Sequence, residues 1–206
     1  MSDFTDRVVM VTGASGNLGG AVVAAFAEAG ATLIVPDRSA DRVAKLFPEL
    51  AESKKHYLAS STDITDPDSV AELVSESLLR LGKIDVLVNT AGGYKAGAPP
   101  HETQLETWDF MLNLNARATY IVSQAVVPSM LKQRRGHIVN TAARSALGAG
   151  ATEVAYAASK SAVARMTESF RPPTRHRELT STRSCPALSI HRRIVKPCRR
   201  RIRLVG

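Results

Sequence analysis

The stretch TGASGNLGG, residues 12–20, puts small residues at an expected helix start, a combination suited to binding phosphate. Gly13, Gly16 and Gly19 recur every third residue, with Ser15, Asn17 and Leu18 between them. The apolar run RVVMVTG precedes this turn, and NLGGAVVAAFAEAG follows it with Leu18, Val22, Val23 and Phe26 at helical spacing. Small side chains let the backbone approach a pyrophosphate, and the open N–H groups of the first helical turn attract its charge. Asn17 stands where a stricter pattern has glycine, and the same residues would also serve a tight strand–helix connection with no ligand. Asp37 ends the second apolar run, TLIVPD. A carboxylate there accepts both hydroxyls of an adenosine ribose and repels a 2′-phosphate, which favours NAD over NADP. Arg38 beside it could stack on adenine or pair with that phosphate, and Asp37 could instead cap the next helix. Further on, YAASK puts Tyr156 and Lys160 one helical turn apart on one face. Taken alone, that pair occurs on many surface helices.

The elements that must position these groups alternate between two periodicities. Strands are expected at RVVMVTG, TLIVPDR, HYLASSTD, IDVLVNTAGG and GHIVNTAA. Helices are expected after the glycine turn, over ADRVAKLFPELAES with an interruption at Pro48, and from Pro67 to Leu81 with Asp66 as N-cap. A long helix follows from about Leu105 to Leu131, and another from Thr152 to Phe170. Apolar strands without polar alternation, separated by helices, indicate a parallel sheet covered on both faces. The fold class is therefore α/β, a doubly wound parallel sheet of the Rossmann kind in a single domain.

In that order and spacing, Thr12 to Gly19, Asp63 in TDIT, NTAGG from Asn89, Asn115 seven residues after Trp108, and YAASK resemble the short-chain dehydrogenase/reductase family over residues 6 to about 170. The resemblance implies hydride transfer between NAD or NADP and a carbonyl, alcohol or related double bond. It makes Tyr156 the general acid/base and has Lys160 bind the nicotinamide ribose while lowering the tyrosine pKa. It gives Asn115 a water in the proton relay, against the alternative of a helix kink or core hydrogen bond. Asp63 and Ile64 would border the adenine, and Asn89, Ala91 and Gly92 would support the cofactor floor. The long helix from Leu105 and the Tyr156 helix would pair subunits into a homodimer or homotetramer. One position departs from the family: thirteen residues before the tyrosine, where a substrate-polarising serine is usual, stands Ala143. Ser145 is a candidate substitute if the strand continues, because it alternates with position 143. Lys95 lies in the loop over the expected substrate site. Ala143, AGGYKAG and ARSALGAG together resemble the dihydropteridine-reductase-like branch, which reduces a quinonoid ring.

The formal net charge of +8 would suggest a nucleic-acid or membrane partner, but it is not spread over the chain. Residues 171–206 hold 11 Lys and Arg and a single acid, Glu178, which leaves the first 170 residues with 16 bases and 18 acids. The helical pattern stops at Arg171-Pro172-Pro173, so the Rossmann domain is assigned to 1–170 and an aberrant basic tail to 171–206. In that tail no sixth strand, Pro-Gly turn or lid is expected, so the C-terminal strands are taken as missing or aberrant. LTSTRSCPALSIHRR is, however, compatible with codons that read in a shifted frame as Asp-Val-Asn-Ala-Val-Leu-Pro-Gly-Ala-Leu-Asp-Thr-Pro-Pro, a strand and a Pro-Gly turn. A frameshift near residues 169–172 accounts for the arginine richness without a partner. The alternatives are a nucleotide-binding but inactive remnant, and nucleic-acid binding through Arg199-Arg200-Arg201. The tail lacks interleaved aromatics, so no specific nucleic-acid partner is expected. Cys185 and Cys198 form no metal-ligating cluster, so no metal is expected. With no signal pattern and no apolar run long enough for a bilayer, a cytoplasmic, non-membrane protein acting on a small molecule is the expectation.

Overall fold

Residues 3–170 and 179–184 are described in the computed structural model. Six parallel strands lie in the order β3-β2-β1-β4-β5-β6. They are β1 (Val8–Thr12), β2 (Thr32–Pro36), β3 (Tyr57–Ala59), β4 (Val86–Asn89), β5 (Gly136–Thr141) and β6 (Leu179–Ser184). Every residue of β1 and β4 is buried, as strands covered on both faces require. On one face Met10, Ile34, Leu87 and Ile138 pack with Leu73 of α4 (Pro67–Leu81) and Val126 of α6 (Ala118–Lys132). On the other, Val9, Val11, Leu33 and Val88 pack with Val23 of α1 (Asn17–Glu28), Val43 of α2 (Ala40–Leu46) and Leu50 of α3 (Pro48–Glu52). Burying each such side chain contributes about 1.5–3 kcal/mol. The order reverses between β1 and β4, which opens a crevice at the carboxyl ends of these two strands.

Three elements differ from expectation. The helix interrupted at Pro48 is two helices, α2 and α3, with Pro48 as the first residue of the second, where its missing N–H costs nothing. The third strand is only three residues long, because the chain turns at Ser61 (φ 57°) and the Thr62 N–H bonds back to the Asp37 carbonyl at 3.0 Å. The long helix from Leu105 is α5 (Leu105–Met111) and α6 joined by a π-helical stretch, Leu112–Arg117. Such wide turns occur often at functional sites, and Asn115 lies inside this one.

A fourth difference corrects the reading of the C-terminal segment. The sixth strand is present: Leu179–Ser184 pairs with the whole of β5 in parallel register, from Gly136↔Leu179 to Thr141↔Ser184. The segment has no apolar period, but β5 without a neighbour would present a row of unpaired backbone groups. Those groups accept an extended segment tethered close by. β6 stands where the shifted frame places its own strand. The expected basic arm at Arg199-Arg200-Arg201, together with Cys185 and Cys198, lies outside the described residues. Among the described residues, no helix is long and apolar enough to cross a membrane.

At the sheet end remote from the crevice, Asp85 staples three strand starts. Its fully buried carboxylate accepts the Val8 N–H at 3.0 Å and pairs with Arg135 at 2.7 Å, Lys83 at 3.3 Å and Arg7 at 3.4 Å. Burial works to raise its pKa, but the Val8 N–H, Arg135 and Lys83 together hold it below the usual carboxylate value. A depressed carboxyl pKa gives stability that is complete above the unfolded value, near 3.9, and is lost as pH falls through the folded one. Asp85→Asn is therefore expected to cost about 3 kcal/mol at pH 7, read by urea denaturation, with the deficit shrinking under acid conditions.

Candidate active site

The crevice is built from backbone first. Gly13 has φ +71°, and a Cβ there would stand 2.6 Å from Ala91 Cα. A Cβ on Gly19 would stand 2.1 Å from the Gly13 carbonyl oxygen and 2.7 Å from Thr90 Oγ1. These two glycines let the first turn lie against the loop after β4. Gly16 caps α1 with no side-chain hydrogen bond, and it is exposed with Asn17, while Ser15 and Leu18 are half-buried. The first N–H groups of the helix thus face the crevice mouth uncapped, as an anion requires.

Around this turn, Asp37 directly follows β2, and its Oδ1 accepts the Ser39 N–H at 2.8 Å. That bond fixes the carboxylate at the strand end beside exposed Arg38. Asp63 is similarly bound, accepting from Thr65 Oγ1 at 2.7 Å and the Thr65 N–H at 2.8 Å, with half-buried Ile64 between them. These two bonds, hydroxyl first, hold its carboxyl below the usual value. Asn89 is buried, with Nδ2 donating to Asn140 Oδ1 at 2.8 Å and Ser123 Oγ at 3.2 Å. Thr12, Asn89 and Asn140 are register partners across β1, β4 and β5, and Asn140 donates on to Thr167 of α7 (Val154–Ser169) at 2.9 Å. This polar belt supports the crevice floor formed by Ala91 and Gly92.

α7 carries both Tyr156 and Lys160. Tyr156 is half-buried, and its ring meets that of Tyr94 edge-on at 4.7 Å. Lys160, one turn later, is 5 % exposed, and its Nζ donates to the Thr141 carbonyl at 3.0 Å. Burial lowers its pKa to about 8. A Cβ on Gly92 would come within 3.2 Å of Nζ. An ammonium has three donors, and Thr141 is the one acceptor it meets among the described residues. A buried cation with donors to spare fits a nucleotide ribose, and the uncapped start of α1 fits a phosphate.

Because folding disfavours the charged lysine, stability from this residue rises as pH climbs from about 8 towards the ordinary lysine value of about 10.4. Lys160→Met is expected to raise the ligand-free protein's unfolding free energy by about 1 kcal/mol and to weaken NADH binding about tenfold or more. Melting curves with and without NADH would read both effects.

The structure gathers Tyr156, Lys160, Asn115 and the glycine turn at one end of the sheet. The fully buried Asn115 side chain accepts the Gly93 N–H at 2.9 Å and donates to the Gly93 carbonyl at 3.1 Å and to Ser159 Oγ at 2.9 Å. These bonds brace the loop after β4 against α7. Ser145 does not extend the strand: β5 ends at Thr141, and Arg144–Ala146 is a 3₁₀ turn. The alternation argued from position 143 therefore fails, because the chain turns before reaching 145. Ser145 Oγ instead donates to Glu153 Oε2 at 2.6 Å. Exposed Lys95 lines a small cavity of ≈ 120 Å³ with Gln104, Thr152 and Ala155. Sequence reasoning assigned no role to Ser159, Tyr94 or Glu153. The first two sit inside quoted motifs, but their partners lie 44 to 62 residues away in the chain or across the cleft.

The sequence profile described as short chain dehydrogenase matches residues 7–189, across β6. An uncharacterized oxidoreductase of Staphylococcus saprophyticus is 34% identical, over 82% of this chain and 72% of that protein. The 3-oxoacyl-acyl-carrier-protein reductase FabG of Thermotoga maritima is 35% identical, over 80% and 66%. Among solved structures, a metagenomic short-chain oxidoreductase in complex with NADP superposes with a TM-score of 0.82 at 26% identity, over 91% of this chain and 85% of that one.

Proposed function

The chain belongs to the short-chain dehydrogenase family of NAD(P)-dependent oxidoreductases, and on that premise we propose that Tyr156 is the acid/base of a hydride transfer to or from a carbonyl, alcohol or quinonoid substrate. The bound nicotinamide supplies or takes the hydride. Tyr156 gives its hydroxyl proton to the substrate oxygen in reduction and recovers it in oxidation. Lys160 holds the ribose hydroxyls, and its charge draws the phenol from about 10 towards the working pH. Gly13, Ser15, Gly16, Asn17, Leu18 and Gly19 cradle the pyrophosphate. Asp37 takes the adenosine ribose, which makes NAD the preferred cofactor, while Asp63 and Ile64 border the adenine. Asn89, Ala91 and Gly92 support the floor. Asn115 holds a water in the proton path from Tyr156.

The observation that supports this most is the buried Lys160 ammonium with one carbonyl partner, a turn from a tyrosine at the cleft. With Ala143 buried and its side chain unable to donate, the substrate oxygen is polarised by Tyr156 alone, which suits the quinonoid class of the dihydropteridine-reductase-like branch. Exposed Leu105 and Phe110 on α5 and Tyr120 and Leu131 on α6 give subunit pairing an apolar face.

The test is a fluorescence titration with NADH and NADPH, then absorbance at 340 nm with aldehydes, ketones, 3-oxoacyl thioesters and a quinonoid pterin. NADH binding tighter than NADPH, with turnover of at least one class, is expected. Failure to bind either nucleotide would sink the reading. The shifted-frame origin of the residues beyond 170 belongs to the same proposal, and resequencing the codons for residues 165–185 decides it.

A further inference from the structure

Two loops flank Tyr156, and one carboxylate ties them together. The first, running from Gly92 to Ala98, carries Tyr94; the second, from Ala143 to Glu153, leads into α7. Glu153 precedes the helix and its carboxylate accepts three donors: Ser145 Oγ at 2.6 Å, the Gly150 N–H at 3.3 Å and Tyr94 Oη at 3.3 Å. A backbone bond from the Gly97 N–H to the Thr152 carbonyl at 3.1 Å closes the same gap. The Ser145 hydroxyl first, then the Gly150 N–H, hold the Glu153 carboxyl below its usual range, so it is ionised at neutral pH. Tyr94 is 64% exposed yet held edge-on to the Tyr156 ring, 4.7 Å between centroids and 82° between planes. An exposed aromatic ring keeps one orientation only if something fixes its far end, and the Glu153 bond does that.

We propose that Glu153 is a positioning residue for the Tyr156 reaction: through Tyr94 it fixes the wall against which the Tyr156 ring packs, and through Ser145 it takes up the hydroxyl proton that could otherwise polarise a substrate oxygen. Serine has one proton to donate. While Glu153 is ionised and accepts it, Ser145 presents only lone pairs to the cleft. Ser145 is therefore a link in the loop clamp and not a replacement for the serine absent at 143. The kinetic part of the inference rests on Tyr156 being the acid/base, while the structural part does not.

The test separates the two parts. The chain has four tyrosines, so ring-labelled protein gives a simple spectrum. A ring–ring NOE between Tyr94 and Tyr156 is expected in the native protein, lost in Glu153→Ala, and kept in Ser145→Ala and Glu153→Gln, since glutamine still accepts from Tyr94. In steady-state assays on whichever substrate class turns over, Glu153→Ala is expected to lower kcat about 10- to 100-fold with KM for NADH unchanged. Glu153→Gln should restore most of the rate, and Ser145→Ala should stay within about twofold of native. In a Tyr94→Ala background the Glu153→Ala effect should disappear. An NOE that survives Glu153→Ala, or a Ser145→Ala loss as large as that of Glu153→Ala, overturns the proposal. A protein that behaves as expected by NMR but binds no nucleotide would instead refute the reductase reading and leave the Glu153 clamp standing.

Discussion

Replacing Tyr156 with phenylalanine is expected to slow turnover about 10²- to 10⁴-fold while nucleotide affinity stays within about twofold. The substitution keeps the ring, and with it the edge-on contact to Tyr94 at 4.7 Å and the half-buried position on α7. It removes the hydroxyl proposed to exchange a proton with the substrate oxygen. The loss falls on the chemical step because Ala143 offers no donor and the Ser145 proton is taken by Glu153 at 2.6 Å. With no second donor to share the charge developing on the oxygen, the upper part of that range is expected. Steady-state rates at 340 nm and a parallel melting curve check it. A Tyr156→Phe protein with native kcat would remove Tyr156 from the acid/base role, and a collapsed melting temperature would call for Tyr156→His as the second variant.

Gly19→Ala is expected to have the largest effect on cofactor binding, with NADH affinity falling by more than about tenfold and stability by about 1–3 kcal/mol. The added methyl would lie 2.1 Å from the Gly13 carbonyl oxygen, 2.6 Å from its carbon and 2.7 Å from Thr90 Oγ1. None of these can turn aside as a flexible side chain does, because two are backbone and Thr90 Oγ1 is bonded to the Thr12 carbonyl at 2.6 Å. Relief requires α1 to back away from Gly13 and the loop after β4, which opens the turn proposed to hold the pyrophosphate. Gly82→Ala is the matched control. Gly82 ends α4 with φ +75° and nothing within 4 Å of its added methyl. It is expected to lose about 1–2 kcal/mol from backbone strain and nothing from NADH binding. Isothermal titration of both variants separates steric damage to the site from general destabilisation; equal affinity in the two would refute the argument.

The alternation of strands and helices, the parallel sheet and the glycine turn were legible in the sequence because each is a local pattern. β1 reads as a strand from the unbroken apolar run Val8 to Val11, and Pro67 after Asp66 marks a helix start that the structure keeps, with Asp66 accepting the Asp68 N–H. Tyr156 and Lys160 face one way because a helix repeats every 3.6 residues, whatever surrounds it. Hydrogen-bond partners are not local. Asn115 sits in the crossover between β4 and β5, and only packing of that crossover against α7 set its side chain on Gly93 and Ser159. Ser145 could continue a strand until the chain turned after Thr141 and met Glu153. β6 has no apolar period to announce it, and it exists because β5 offers a row of backbone donors and acceptors that must be paired. Residue types and spacing thus determined the family, the fold class and which groups could react. Tertiary structure alone decided which of those groups are already spent on one another, because that depends on which distant backbone and side chains the folded sheet brings within 3 Å.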